Sequence, residues 1–230
     1  MKLEKTTNSY SLPGRSYDDA CGAAHALDLV GERWALLVMR ELMLGPLRFS
    51  DLRAALPGIS ANVLTQRLEG LEGIGALVRR RLPPPGAVQV YELTPWGYEA
   101  EPILQALGRW ATRSPMHDPT LPLSPVSLML SFRTMFDPVR ADGFEARIGF
   151  RLGGEDYMVR IGKGRIEAAR APIENADAVF TGTAPAVAGA VYAGVPLAVL
   201  EADGALEVDG YRTIANRFVT LFPLPPKIQT

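Results

Sequence analysis

Residues 49 to 93 read FSDLRAALPGISANVLTQRLEGLEGIGALVRRRLPPPGAVQVYEL, and the punctuation of this stretch leaves it little conformational freedom. A short apolar-periodic run from Phe49 to Leu56 is cut by Pro57-Gly58. Ser60 then offers an N-cap to a longer helix reaching about Gly73. On a 3.6-residue wheel Leu64, Leu68 and Leu71 form one stripe, which faces a core. Gly73 and Gly75 permit the left-handed backbone that stops the helix. Ala76 to Leu82 and Ala87 to Leu93 follow as two strands rich in Val, Leu and Tyr, joined by Pro83-Pro84-Pro85-Gly86. A triple proline has no place inside a sheet, so it forms the tip of a protruding loop. The order is helix, turn, helix, wing.

The surface of this unit suits duplex DNA. Opposite the leucine stripe lie Asn62, Gln66 and Glu69, flanked by Val63 and Thr65. A helix that enters the major groove does so by its N-terminal turns, where Asn62, Thr65 and Gln66 sit, and Asn and Gln bond adenine bidentately. A solvated polar face on an ordinary helix has the same pattern. In the preceding helix Ser50 is the expected cap, with Leu52 and Leu56 buried and Arg48 and Arg53 outside. The first strand of the wing carries Arg79, Arg80 and Arg81. Arg79 and Arg81 share one face and Arg80 the other, so part of the run faces phosphate at any one time. A charged edge strand that discourages aggregation is the alternative.

These residues belong to a longer ordered set: Cys21, Ala26 to Gly31, Arg33-Trp34, Leu42 through Gly45-Pro46, Arg48 to Leu52, Ile59-Ser60, Leu64-Thr65, Arg67-Leu68, Leu71-Glu72, Leu77-Val78 and Tyr91 to Thr94, ending in Thr94-Pro95-Trp96-Gly97. As a set, over about residues 18 to 113, they resemble the HxlR-type winged-helix transcriptional regulators, relatives of the MarR-like group. The residues read above make the candidate DNA-binding surface: Arg48, Ser50, Arg53, Ser60, Asn62, Thr65, Gln66, Arg67, Arg79, Arg80 and Arg81. It departs at the wing tip, where the family usually places a charge among its prolines and this chain has none. The family also carries a cysteine near the start of its first helix that senses oxidants or electrophiles in some members, which makes Cys21 a candidate redox sensor. A helix N-terminus favours the thiolate. Gly22 stands where the family often has proline, and a buried inert thiol is the competing expectation.

Composition limits the remaining choices. The chain has 230 residues, 47% of them hydrophobic, which is ample for one or two packed cores. It has no run of apolar residues long enough to span a bilayer, and MKLEKTTNSY lacks the apolar core of a signal peptide. A cytoplasmic protein with no membrane association is expected. One cysteine excludes an internal disulfide framework. The formal net charge is −1, so any affinity for DNA must come from local charge around Arg67 and Arg79 to Arg81, and dimerisation must double a modest footprint. His25, expected to be a packed helix residue, and His117 in a proline-rich stretch lack partners at metal-ligand or triad spacing. Gly153-Gly154 and Gly162-Lys163-Gly164 read as hairpin turns, because no helix start follows them. Neither an enzyme, nor a cofactor, nor a metal site is expected.

Helical patterns over Asp18 to Val30, Glu32 to Leu44 and Pro95 to Arg113 flank the central unit. Thr94 caps the last of them and Pro95 occupies its first turn. Leu104, Leu107, Trp110 and Ala111 line its apolar side. In the resembled family the first and last helices pair two subunits, which implies a homodimer and an inverted-repeat operator.

Residues 115 to 124 form a Pro-rich linker between a domain spanning 1 to 114 and a second one spanning 125 to 230. In the second, a helix starts at Ser124-Pro125, and FEARIGFRL, YMVRIG, GRIEAARA and ADAVFTG read as four strands. Helices over Pro185 to Ala193, Pro196 to Ala202 and Tyr211 to Phe222 follow, with ALEVDG a fifth strand. Strands followed by helices predict an α+β domain with one face of the sheet covered. Ala176 to Gly182, the helix with Gly194 and Leu197, Leu206 to Gly210 and Phe218 to Phe222 resemble a sterol carrier protein type 2-like domain. That resemblance implies an apolar tunnel for a hydrophobic small-molecule effector. Met129, Phe132, Met135, Phe136, Phe150, Phe180, Tyr192 and Phe218 are the candidate liners, although the same residues suit an ordinary core. The chain thus reads as a dimeric DNA-binding regulator whose effector shifts the dimer between two half-site spacings. The alternative is a lipid or small-molecule carrier that uses the winged helix only as a dimerisation scaffold.

Overall fold

A computed structural model of the chain describes residues 16–81 and 88–229. The expected wing tip, from Leu82 through Gly86 to Ala87, and the N-terminal MKLEKTTNSY lie outside the described residues. Close contacts divide the chain into Met1–Glu101 and Pro102–Thr230.

The first unit contains α1 (Gly22–Val30), α2 (Ala35–Leu42), α3 (Phe49–Ala55), α4 (Ala61–Gly73), β1 (Leu77–Arg81), β2 (Gln89–Leu93) and α5 (Pro95–Tyr98). Its core is the one that periodicity predicts: Leu64, Leu68 and Leu71 from α4 meet Leu52 and Leu56, with Val38 and Leu42 of α2 closing it, all essentially inaccessible to water. Ser60 caps α4, accepting a hydrogen bond from the Val63 amide at 3.2 Å. Ser50 does not cap α3. That helix begins one residue earlier, at Phe49 after Arg48, and the Ser50 hydroxyl turns to Asp51 instead. The two helices expected on either side of Gly31 are both shorter than their sequence patterns. Asp18 and Trp34 take left-handed backbone at φ 51° and 80°, which no α-helix accommodates, so α1 starts after Cys21 and α2 after Trp34.

β1 and β2 are antiparallel, Leu77 opposite Leu93 and Arg81 opposite Gln89. Leu47 exchanges two backbone hydrogen bonds with Tyr91 and adds a bridge at the foot of the wing. Thr94 then caps α5 through the Gly97 amide, with Pro95 in the first turn. The single helix expected over Pro95 to Arg113 is two, α5 and α6 (Glu101–Ala111). Pro102 provides the reason: it has no N–H to give the Tyr98 carbonyl, so the helix cannot run on unbroken through it.

The second unit holds α6, α7 (Pro125–Met135), β3 (Ala146–Leu152), β4 (Glu155–Gly162), β5 (Arg165–Arg170), β6 (Ala178–Gly182), α8 (Ala184–Tyr192), α9 (Leu197–Ala202), β7 (Leu206–Gly210) and α10 (Arg212–Phe218). Contacts therefore draw the boundary at the start of α6, between Glu101 and Pro102, whereas the sequence places it at 114. The arginines at the end of α6 show why: Arg109 donates to the Thr134 carbonyl and Arg113 to that of Pro226, both within the second unit. The five strands anticipated in the sequence form one sheet in the order β5-β4-β3-β6-β7, with β3 and β6 parallel and the other pairs antiparallel. The glycine turns are hairpins, as expected. Gly153 and Gly154, and Lys163 and Gly164, all have positive φ, the geometry that a two-residue type I′ turn requires.

Strand alternation places Phe150 and Phe180 on one face, and Phe132 of α7 with Phe218 of α10 packs onto them. Arg147, Arg151 and Arg160 point to the other face and are exposed. The molecule is a mixed α+β protein with a helix-turn-helix and wing ahead of a sheet region.

Gly97 packs so tightly against Ala76, just before β1, that an added Cβ would stand 2.0 Å from the Ala76 carbonyl oxygen. Replacing Gly97 by Ala is expected to destabilise the first unit by about 3 kcal/mol or more, because backbone and not a flexible side chain must move. Urea unfolding followed by tryptophan fluorescence measures this, and a loss under about 1 kcal/mol would mean the helix relaxes freely.

Candidate nucleic-acid interface

Asn62, Thr65, Gln66 and Glu69 recur at helical spacing on α4 and are all exposed, opposite the three buried leucines. The first three occupy the opening turns of the helix, where the capped end also presents its positive dipole. Arg48 and Arg53, at the two ends of α3, are exposed as expected, and so is Ser50. The Ser60 hydroxyl is occupied by its capping bond.

The arginines are less available than the sequence suggests. Arg67 is turned inward: its side chain is only 19% exposed and Nη1 meets Glu32 at 3.3 Å, while Nε is buried without a hydrogen-bond partner. It braces α4 against the segment leading into α2, and so does not join the outer face with Asn62 and Gln66. In the wing, Arg79 Nε pairs with Glu72 at 2.8 Å and its guanidinium lies over the Tyr91 ring. Arg80 Nε pairs with Glu92 at 2.6 Å. Arg81 is exposed at the end of β1. The two glutamates are what sequence reasoning missed. Glu92 was legible in principle, since hairpin register sets it diagonal to Arg80, whereas Glu72 reaches Arg79 only through tertiary packing.

Cys21 stands immediately before α1 and is exposed, which corrects the alternative of a buried thiol. The amides of Ala24 and Ala23, at the open end of the helix, hold its thiol below the ordinary value, although neither makes a capping hydrogen bond. His25, expected to be packed, is exposed as well.

The proposed tunnel liners are placed differently from what the resemblance implies. Phe132, Phe150, Phe180 and Phe218 are fully buried with ring centroids 5.2 to 5.9 Å apart, so they fill the core against one another. Met129 and Met135 are buried too, and Phe136 packs against Phe222. A cavity of about 680 Å³ lies instead beside α8, α9 and α10, and of the eight candidates only Tyr192 lines it. Burial raises the Tyr192 hydroxyl pKa, opposed by its 2.6 Å hydrogen bond with Ser131.

A capped helix with an outward polar face, a preceding helix across a tight turn and a basic hairpin together define a winged helix-turn-helix protein. The HxlR-like helix-turn-helix family model matches residues 29–118. Relatives include the HTH-type transcriptional regulator YvaP of Bacillus subtilis, 40% identical over 88 residues that span 81% of that protein and 38% of this chain. YodB of the same organism is 35% identical over 86 residues, 77% of its length and 37% of this chain. A solved structure of YodB in its reduced form aligns over 44% of this chain and all of that one, at 31% identity and a TM-score of 0.39. The chain belongs to the HxlR-like helix-turn-helix family, whose members found here are transcriptional regulators and not enzymes.

The Cys21 thiol generates a direct expectation. With its pKa lowered, the thiolate persists to lower pH, so iodoacetamide alkylation should reach half its maximal rate at a lower pH than for N-acetylcysteine amide measured alongside. A midpoint at or above that of the free thiol would show that the helix end does not act on the sulfur.

Proposed function

We propose that this protein is a dimeric, sequence-specific DNA-binding transcriptional regulator. The observation that carries this reading is the outward face of α4, with Asn62, Thr65 and Gln66 in its first turns, in a chain of the HxlR-like family. Asn62 and Gln66 read base edges in the major groove and Thr65 supports them. Arg48, Arg53 and Arg81 meet phosphates and set the register on the duplex. Ser50, Ser60, Arg67, Arg79 and Arg80 act behind them, holding the helices and the wing in place through the bonds described above.

Replacing Asn62 and Gln66 by Ala should abolish sequence preference in a selection of duplexes from a random pool, while binding to bulk DNA survives. Arg81→Ala should weaken all duplexes alike and lower the salt dependence by about one phosphate contact. Arg80→Ala should change it by less, because Glu92 already neutralises that charge. Fluorescence anisotropy over a salt series measures both slopes. Unchanged sequence preference in the double variant would remove α4 as the reader and favour the carrier alternative.

Dimerisation is supported by the apolar residues that α6 leaves in water: Ile103 at 53% exposure, Leu107 at 44% and Trp110 at 74%, one face of the helix at i, i+4 and i+7. Pairing such faces about a two-fold axis presents two reading helices to an inverted repeat. Leu107→Glu with Trp110→Glu should give a monomer by sedimentation and reduce operator affinity at least about a hundredfold, since half the contacts are lost. A dimer that survives both substitutions would place the interface elsewhere. Cys21 supplies a second input in this reading, an exposed thiolate open to oxidants or electrophiles. The second unit supplies the effector site that shifts the dimer between half-site spacings.

A further inference from the structure

The cavity beside α8, α9 and α10 is walled partly by residues 222–224. Phe222, Pro223 and Leu224 line it, together with Val191, Val195 and Leu197. These six supply an apolar body. The charged side chains on its lining are Arg140 and Arg212, with no carboxylate among them. Arg212 is committed, both terminal nitrogens sitting on Glu201 at 2.7 and 2.6 Å, so it clamps α10 to α9. Arg140 is held more loosely. Nε lies 3.6 Å from Asp137, beyond hydrogen-bond length, and Nη1 gives a long bond of 3.3 Å to the Thr220 carbonyl. A guanidinium with five donors retains the capacity to clasp an incoming carboxylate. The volume, about 680 Å³, suits a ligand of ordinary small-molecule size.

The same terminal segment continues away from the cavity and fastens the end of α6. Pro226 O accepts from Arg113 Nε at 3.3 Å, Lys227 Nζ donates to Ser114 O at 2.9 Å, and the Ile228 amide donates to Arg113 O at 2.9 Å. Two residues separate Leu224, in the cavity wall, from Lys227, on the strap that holds the helix. We propose that this cavity takes a small amphipathic carboxylate, anchored by Arg140, and that the C-terminal strap transmits its occupancy to the end of α6. The regulatory meaning rests on the reading of the chain as a ligand-responsive regulator, but the site and the linkage stand on the second unit alone. A ligand acts through this path only to the extent that it binds the two strap positions with different affinity.

The test uses the full chain and two acids, decanoate and 4-butylbenzoate, with decanol and decyltrimethylammonium as neutral and cationic counterparts. By calorimetry the acids should bind at least about tenfold tighter than decanol, the charge-assisted bond being the difference, and the cation should not bind. Arg140→Gln should lose that tenfold advantage while keeping its affinity for decanol and its melting temperature, and Arg140→Lys should recover part of it. Failure of both acids to bind, or equal binding by Arg140→Gln, would overturn the site. Hydrogen exchange then reads the linkage: an acid should change the exchange rate of residues 108–114 by about twofold or more in the full chain. A chain ending at Pro225 keeps the cavity wall and should bind the acids equally, with the change at α6 abolished. Arg113→Ala, which leaves the strap at full length, should diminish it. A response unchanged in both variants, or absent from the full chain, would overturn the linkage. Neither readout involves DNA or a dimer, so failure of the regulator reading would leave these outcomes intact and separately visible.

Discussion

The end of α4, the wing and the last helix of the first unit meet at one residue. The Thr94 hydroxyl accepts from the Gly97 amide at 3.1 Å to start α5 and donates to the Gly75 carbonyl at 2.8 Å, while its own amide donates to Ala76 O at 3.0 Å. Gly75, at φ 77°, is where the chain turns out of α4, and Ala76 is the residue against which Gly97 packs without room for a side chain. A single threonine thus ties the end of α4 to the foot of the wing and to the entry of α5. The direction in which Asn62 and Gln66 point relative to Arg81 depends on that junction holding.

Charge is distributed sparingly on this frame. A chain of net charge −1 cannot rely on a broad positive field, and several of its arginines are already spent on internal glutamates: Arg67 on Glu32, Arg79 on Glu72, Arg80 on Glu92. The wing pairs, being exposed, contribute little to stability, and in the proposed complex their larger effect is to hold those donors back from phosphate. In the proposed dimer affinity rests on a few contacts per subunit, and the exposed apolar face of α6 gains its importance there, because two weak half-sites joined together bind far more tightly than either alone.

The second unit shows how an aromatic-rich sequence can mislead. Phe132, Phe150, Phe180 and Phe218 have the size and spacing expected of tunnel walls, yet their rings interlock in the space between sheet and helices. A cavity of about 680 Å³ lies to one side of them, among helix ends and residues 222–224, where the lining includes Arg140. Hydrophobicity alone does not distinguish a residue that fills a core from one that lines a void, because both are removed from water in the folded chain.

Local chemistry determined much of this protein before any tertiary contact formed. Ser60 and Thr94 as caps, the leucine stripe of α4, the hairpin glycines and the five alternating strands are written in short-range pattern, since each depends on neighbours within a few residues. Family membership was legible for the same reason, as an ordered set of such motifs. Tertiary structure decided the rest: that Arg67 turns inward, that Glu72 takes Arg79, that the terminal segment holds the end of α6, and that a cavity opens beside Arg140 rather than among the phenylalanines. Those outcomes depend on which side chains arrive together from distant parts of the chain, and no local periodicity encodes that meeting.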